Sequence, residues 1–355
     1  MSVTDVLLDW IAIESVSGGE AGYAEALAHH LARAGFATER QHLDKQRFNV
    51  LARPASGRAE PLVVFCTHLD TVPPWFGPRR ERGTIFGRGA CDAKGPALAM
   101  IEAARRLVAS GEERIGFLFT VGEETDSRGA QLANERLEHP VPGTKPAFLG
   151  WRPRYTIVGE PTDNRFVRGG KGVVKGCLRA HGAAGHSAMA DGPSAIHELV
   201  GAIGRMLASE WGRHPLFGEG TINFGTIEGG VAANVTAPSA SAALLVRAVE
   251  SPAAIEARIR SHLGPHVEYE PWKGYGPIDF ELPDGDAQGS DGPVVKFGTD
   301  APYLGRFGKP LLYGPGSIRD AHTASEKIAE ASLEQGIADY ERAARTLLAR
   351  IDAGS

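Results

Sequence analysis

Hydrophobic positions along this chain follow two alternating periods. Near the start, VTDVLLDWIAIES and AGYAEALAHHLARAG repeat apolar residues every three to four positions, which predicts helices over 3–15 and 20–35. Short solid apolar runs follow. They predict strands at 46–53, 62–66 (LVVFC), 115–121 (IGFLFTV) and 155–161 (YTIVGEP). Between the second and third of these, GPALAMIEAARRLVA returns to helical spacing over 95–109. Strands alternating with helices predict βαβ units and an α/β fold on a mostly parallel sheet.

The pattern changes after about residue 168. VVKGCLRAHG predicts a strand, PSAIHELVGAIGRMLASEW a helix with Pro193 near its start, TINFGTIEGG and SAALLVRAVE two more strands, 252–263 a helix, and PHVEYEPWKG a last strand. That β-α-β-β-α-β order fits a small two-layer α+β, ferredoxin-like domain. The Gly- and Asp-rich stretch ELPDGDAQGSDGP (281–293) reads as a linker, and α/β character resumes at VVKFGTDAPYL and KPLLYGPG before a final helix over 332–350. The expected organisation is one α/β domain built from 1–168 and 278–355, with a second domain, 169–277, inserted into it.

Composition narrows the function classes. The chain has 355 residues, 42% hydrophobic and 23% charged, with a formal net charge of −5, so it carries no basic footprint for nucleic acid. No apolar run approaches the roughly 18 residues of a membrane-spanning helix. The N-terminal segment, with Asp5 and Asp9 and no basic stretch, reads as an amphipathic helix and not a signal peptide. Three cysteines, Cys66, Cys91 and Cys177, show no C-x-x-C spacing, which points to a reduced, cytoplasmic setting.

The chemistry gathers where the apolar runs end. THLDTVP places His68 and Asp70 at the tip of a core strand; Asp92 lies in GRGACDAKG before a helix; Glu123 and Glu124 follow IGFLFTV; Glu160 follows YTIV; His322 follows KPLLY across a glycine-rich turn. A lone carboxylate at a strand end is ordinarily a solvated turn residue or a helix cap. In an open α/β sheet, however, ligands bind outside the carboxyl ends of the strands, and these segments all exit there. Two imidazoles with several carboxylates suit zinc or a related divalent cation. No H-E-x-x-H occurs, since His197-Glu198 is followed by Gly201 where a second histidine would stand. The two cysteines beside these segments, Cys66 and Cys91, read as packing residues.

HLDTVP, GRGACDAKGP, GEET, VGEPT, GHSA, GGVAANVTAP and YGPGSIRDAHTASE, in this order along nearly the whole chain, resemble the co-catalytic zinc metallopeptidases. That family includes acetylornithine deacetylase, succinyl-diaminopimelate desuccinylase, aminoacylase and carboxypeptidase G. The resemblance implies a zinc-exopeptidase catalytic domain and an inserted lid and dimerisation domain. It implies two Zn²⁺, with Co²⁺ as a substitute: one held by His68, Asp92 and Glu160, the other by the bridging Asp92 with Glu124 and His322. Glu123 would be the general base, and the Asp70 carboxylate would orient His68 through its ring N–H. A non-proline cis peptide after Asp92 is implied too.

His186 of the inserted domain would serve the active site of a partner subunit in a homodimer. Asn234, Arg247, Gly316 and Ser317 would contact substrate, although the family's usual Asp-x-Arg is here LLVR. Arg319, in the same turn as Ser317, is placed to bind a carboxylate. The motifs after residue 300 most resemble acetylornithine and acetylcitrulline deacetylases, which implies deacylation of a small N-acyl amino acid in arginine biosynthesis. Desuccinylation of succinyl-diaminopimelate and dipeptidase or carboxypeptidase activity are the alternatives on the same fold. A catalytically inactive metal-binding module is the alternative of another class, and the presence of Glu123 argues against it. Nucleic acid and membranes are not expected partners.

Overall fold

The computed structural model describes residues 2–137, 151–189, 192–284 and 292–354. Most of the expected linker, and His139, lie outside them. The helices that matter here are α1 (Val3–Ile11), α2 (Ala21–Arg33), α3 (Lys94–Ala109), α4 (Arg128–Arg136), α5 (Ala195–Leu207), α6 (Pro252–Ser261) and α7 (Glu330–Ala353). The longer strands are β1 (Phe36–His42), β2 (Phe48–Pro54), β3 (Val63–His68), β4 (Ile115–Thr120), β5 (Tyr155–Val158), β6 (Gly172–His181), β7 (Thr221–Gly229), β8 (Ser239–Ala248), β9 (Val267–Tyr275) and β10 (Lys309–Leu312). Helix α1 starts at a capping box, in which the Ser2 hydroxyl accepts from Asp5 N–H and the Asp5 carboxylate accepts from Ser2 N–H.

The chain divides into two compact units, 1–168 with 280–293 and 299–355, and 169–279 with 294–298. The last short piece joins the inserted unit because Val294–Val295 pairs in parallel with Gly169–Gly170, a pairing that the sequence pattern did not anticipate.

The first unit is built on a six-stranded sheet in the order β1-β2-β4-β3-β5-β10. β4, β3, β5 and β10 run parallel, while β2 is antiparallel to β4 and β1 antiparallel to β2. Every residue of β3, β4 and β5 is buried, which is why these strands read as solid apolar runs and not as alternations. Helices α3 and α7 pack on each other and on β3, and α2 packs on β1 and β2. Tyr340 of α7 meets Phe65 of β3 edge-on, and its hydroxyl donates to the Tyr313 carbonyl at 2.8 Å. Because the four parallel strands point the same way, the chain leaves all of them on one rim.

In the second unit β6 to β9 form an antiparallel sheet in the order β7-β8-β6-β9, with α5 and α6 against one face. On β8 the alternate residues Ala240, Ala242, Leu244, Val246 and Ala248 are buried with Leu199 and Met206 of α5 and Ile255 and Ile259 of α6. This is the expected ferredoxin-like arrangement. Of the longer elements named above, β1 and α4 were not anticipated; their sequences, FATERQH and RGAQLANER, carry almost no apolar periodicity. Among the described residues no helix is long and apolar enough to cross a membrane.

Candidate metal centre and active site

The tip of β3 is held rigidly before any chemistry begins. The Thr67 hydroxyl donates to the Gly159 carbonyl at 2.7 Å, Gly159 N–H donates to the Cys66 carbonyl at 2.8 Å, and Leu69 N–H donates to the Thr120 carbonyl at 2.7 Å. Gly159 sits close under α3: a Cβ there would lie 2.5 Å from Met100 Cε and 3.1 Å from the Tyr340 hydroxyl, so the Met100 side chain would have to shift. His68 ends the strand, 1% exposed. Its Nδ1 lies 2.9 Å from the main-chain carbonyl of Asp70, so the ring donates its Nδ1 proton there. Nε2, 3.0 Å from Asp92 Oδ1, is then the nitrogen that presents a lone pair.

This corrects one expectation. The Asp70 carboxylate lies 3.6 Å from His68 Nδ1, farther than the carbonyl. It is engaged elsewhere: Oδ1 accepts from Glu123 N–H at 3.0 Å, while Oδ2 accepts from Glu124 N–H at 3.1 Å and from the Ser17 hydroxyl at 2.7 Å. The imidazole at 68 reaches the main chain two residues on, which leaves both carboxylate oxygens for the loop that follows β4. Asp70 therefore supports the site from two sides, through its carbonyl to His68 and through its carboxylate to the glutamate pair.

Asp92 stands just before α3, and the Asp92–Ala93 peptide is cis, as the resemblance implies. Its two oxygens face two different imidazoles: Oδ1 lies 3.0 Å from His68 Nε2, and Oδ2 lies 3.2 Å from His322 Nε2. His322 Nε2 is also 2.9 Å from Glu124 Oε1. Donor atoms of His68, Asp92 and Glu124 all lie within 4.8 Å of one another. The turn that carries His322 is pressed onto the Asp92 loop at Gly316, where φ is +90° and a Cβ would come within 2.5 Å of Cys91 Cβ. Ser317 follows, its carbonyl 3.8 Å from Cys91 Sγ, and Arg319 is exposed two residues later.

Burial and mutual proximity shift the ionisable groups of this cluster strongly. Burial pushes the Glu160 and Glu123 carboxyls well above the ordinary carboxylate range, and neighbouring carboxylates, Glu123 and then Asp92 for Glu160 and Asp300 and Glu124 for Glu123, add to it. Burial also raises Glu124, against the pull of His322. Asp92 goes the other way: burial opposes its ionisation, but the two histidines hold it well below the usual range. His322 is pushed up to about 10, first by Asp92 and then by Glu124. Burial alone would lower His68, but the carboxylates of Asp70 and Asp92 carry it well above the ordinary imidazole value. Six carboxyls, Asp300 among them, and two imidazoles lie close together, and a bound divalent cation would compensate the negative charge they gather.

The structure thus brings His68, Asp70, Asp92, Glu123, Glu124, Glu160 and His322 to one rim of the first unit. The remaining candidates belong to the second unit. There His186 pairs with Val235 in a two-residue ladder, and Ser187 N–H donates to the Asn234 carbonyl at 3.0 Å, so GHSA and ANVT are held side by side. His186 Nδ1 accepts from Ala188 N–H at 3.2 Å, and the ring is exposed. Arg247 lies on β8 opposite Thr221 and Val173, at a position that alternates with the residues buried against the helices.

Three supporting residues escaped the sequence reading. Asp300 is fully buried, is pushed up to about 6 by that burial, and accepts from the Thr120 hydroxyl at 2.7 Å. Glu326 and Arg88 form a buried ion pair behind Asp92. A buried Glu or Arg carries no local pattern in sequence, and Thr-Asp in a loop is unremarkable by itself.

The sequence pattern described as peptidase family M20/M25/M40 matches residues 64–346. The chain belongs to this family. A Peptidase M20 domain-containing protein of Schizosaccharomyces pombe is 34% identical over 94% of this chain and 81% of its own length. A protein of Aspergillus terreus named probable carboxypeptidase is 33% identical over 94% of this chain and 84% of its own length. Among solved structures, the aminopeptidase PepT of Bacillus cereus superposes with a TM-score of 0.78 at 20% identity, covering 98% of both chains. This M20 chain is accordingly a metal-dependent amide hydrolase of the peptidase and carboxypeptidase type. The relatives carry peptidase and carboxypeptidase names, and the finer expectation of closeness to acetylornithine deacetylase draws no support from them.

The donor set fits a divalent metal centre. It offers imidazole nitrogen and carboxylate oxygen. Cys91, the nearest sulfur to Asp92 in sequence, turns its buried Sγ towards Glu326 Oε1 at 3.7 Å and the Ser317 carbonyl at 3.8 Å.

Proposed function

We propose that this chain uses two zinc ions to hydrolyse the amide bond of a short peptide or N-acyl amino acid, releasing the amino acid on the carboxyl side of that bond. The observation that carries the reading is Asp92, one carboxylate whose two oxygens each face a different imidazole. His68, Asp92 and Glu160 would hold one ion; Asp92, Glu124 and His322 would hold the other. Divalent cations so placed acidify water and polarise a scissile carbonyl. Glu123 takes the proton from the attacking water and hands it to the leaving amine. Asn234, Arg247, Gly316 and Ser317 would be substrate contacts, and Arg319 would bind a carboxylate.

Deacetylation of N-acetylornithine or N-acetylcitrulline is the second reading, favoured by YGPGSIRDAHTASE. A hydrolysis panel separates them: simple dipeptides, N-acetylornithine, N-acetylcitrulline and succinyl-diaminopimelate, each with zinc or cobalt. Dipeptides should turn over fastest. Turnover confined to the two acetyl substrates would establish the deacetylase instead, and failure on all of them with both ions bound would leave a binding module.

Metal removal provides a check independent of substrate. Zinc at about 100 times its Kd stabilises the folded state by about 2.7 kcal/mol. Melting curves with and without a chelator should therefore separate clearly, and coincident curves would count against the metal centre.

The active form is, on this reading, a homodimer. β7 is an edge strand of the second unit, paired only with β8 among the described strands of that sheet, and Ile227 on it is 57% exposed. Val200 and Leu207 of α5 are also exposed, giving a strand edge and apolar surface that a second copy can cover. Ile227→Lys should shift sedimentation towards the monomer. His186 would act in the partner's site. Mixing inactive His186→Ala with inactive Glu123→Ala chains under subunit exchange should restore up to about one quarter of sites. No recovery despite proven exchange would place His186 outside the partner's chemistry.

A further inference from the structure

Four residues beyond His322, Glu326 is fully buried and belongs to no catalytic step described above. It immediately precedes the short strand Lys327–Ala329, which pairs antiparallel with Thr84–Phe86. Its carbonyl accepts from Gly87 N–H at 3.0 Å. The side chain turns into the loop that carries Asp92. There Oε1 accepts from three N–H groups of that loop, those of Gly89 at 3.0 Å, Cys91 at 3.2 Å and Asp92 itself at 3.1 Å. Oε2 accepts from Arg88 Nη1 at 2.5 Å. Arg88 is 1% exposed; its Nε donates to the Pro74 carbonyl at 3.3 Å, and its guanidinium lies over the Phe76 ring at 5.3 Å.

Converging backbone N–H groups of this kind make an anion cradle. Here the chain fills the cradle with its own carboxylate, and Arg88 fixes that carboxylate from the far side. The loop is thereby tied to the segment that bears His322. The tie ends on Asp92 N–H itself, the backbone of the residue whose carboxylate faces both imidazoles.

We propose that Glu326, clamped by Arg88, is the positioning residue for Asp92: it holds the shared carboxylate in register with His322 and so sets how tightly the second of two ions binds. This rests on the two-metal reading above. Glutamine at 326 is nearly isosteric but cannot serve both sides. If its oxygen keeps the three N–H groups, its amide N–H₂ faces the Arg88 guanidinium, donor against donor.

The test is a metal titration of chelator-stripped protein, followed by calorimetry with zinc and by the visible spectrum of cobalt. The parent should take up two ions; a parent that binds none defeats the metal reading itself, not this inference. In Glu326→Gln the second ion should bind about 10–100-fold more weakly, with a changed cobalt spectrum. Parent affinities for both ions, even with a lowered melting temperature, would make Glu326 a folding residue only and overturn the proposal. Should Glu326→Gln fail to fold, Arg88→Lys decides. Lysine keeps the charge but gives up the planar fork, so weaker second-ion binding is expected, and unchanged affinities overturn it.

Discussion

Glu123→Gln should keep both metal ions and lose turnover, with kcat falling by roughly 10²–10⁴. The two adjacent glutamates are sorted by the geometry. Glu124 turns its carboxylate to His322, at 2.9 Å, and joins the donor atoms of His68 and Asp92. Glu123 has its N–H fixed by Asp70 Oδ1, and its carboxyl is raised by burial, against the pull of His68. A carboxyl shifted upward is better matched to taking and returning a proton near neutral pH than one at its ordinary value. Glutamine preserves its shape and cannot accept the proton. Metal content measured alongside kcat isolates the effect, and Glu124→Gln serves as the contrast, since it should strip an ion. If Glu123→Gln loses metal and Glu124→Gln does not, the roles of the pair are reversed.

The rim could be read from sequence because parallel strands leave the sheet in one direction. Once LVVFC, IGFLFTV, YTIV and KPLLY are taken as neighbours, His68, Glu123, Glu124, Glu160 and His322 must share an edge, whatever the strand order. What could not be read is which atom meets which. His68 and Asp70, two residues apart, invite a carboxylate–imidazole pairing; only the turn after Leu69 brings the carbonyl closer than the side chain. Glu326 and Arg88, 238 positions apart, look like two surface charges until the fold buries them together. The edge strand β1 and helix α4 were missed for a simpler reason: each buries little, so selection for a core leaves little pattern in them.

The corrected role of Asp70 has its own consequence. Asparagine there offers one oxygen where the carboxylate offers two. The favoured orientation puts that oxygen at the Oδ2 position, where Glu124 N–H and the Ser17 hydroxyl both donate, at 3.1 and 2.7 Å. The amide N–H₂ then confronts Glu123 N–H, a donor against a donor, and the loop must move away at the base. The main-chain carbonyl that accepts the His68 ring proton is untouched. Asp70→Asn should therefore lower kcat/KM by about 10–100-fold while zinc affinity stays close to that of the parent. A parallel fall in zinc affinity would mean that the carboxylate acts through His68 after all. Parent values for both would reduce Asp70 to a turn residue. Ser17→Ala removes only one of the three donors to the carboxylate and should cost less than Asp70→Asn, so the order of the two variants, read with the zinc titration, decides whether this carboxylate works by holding the glutamate loop.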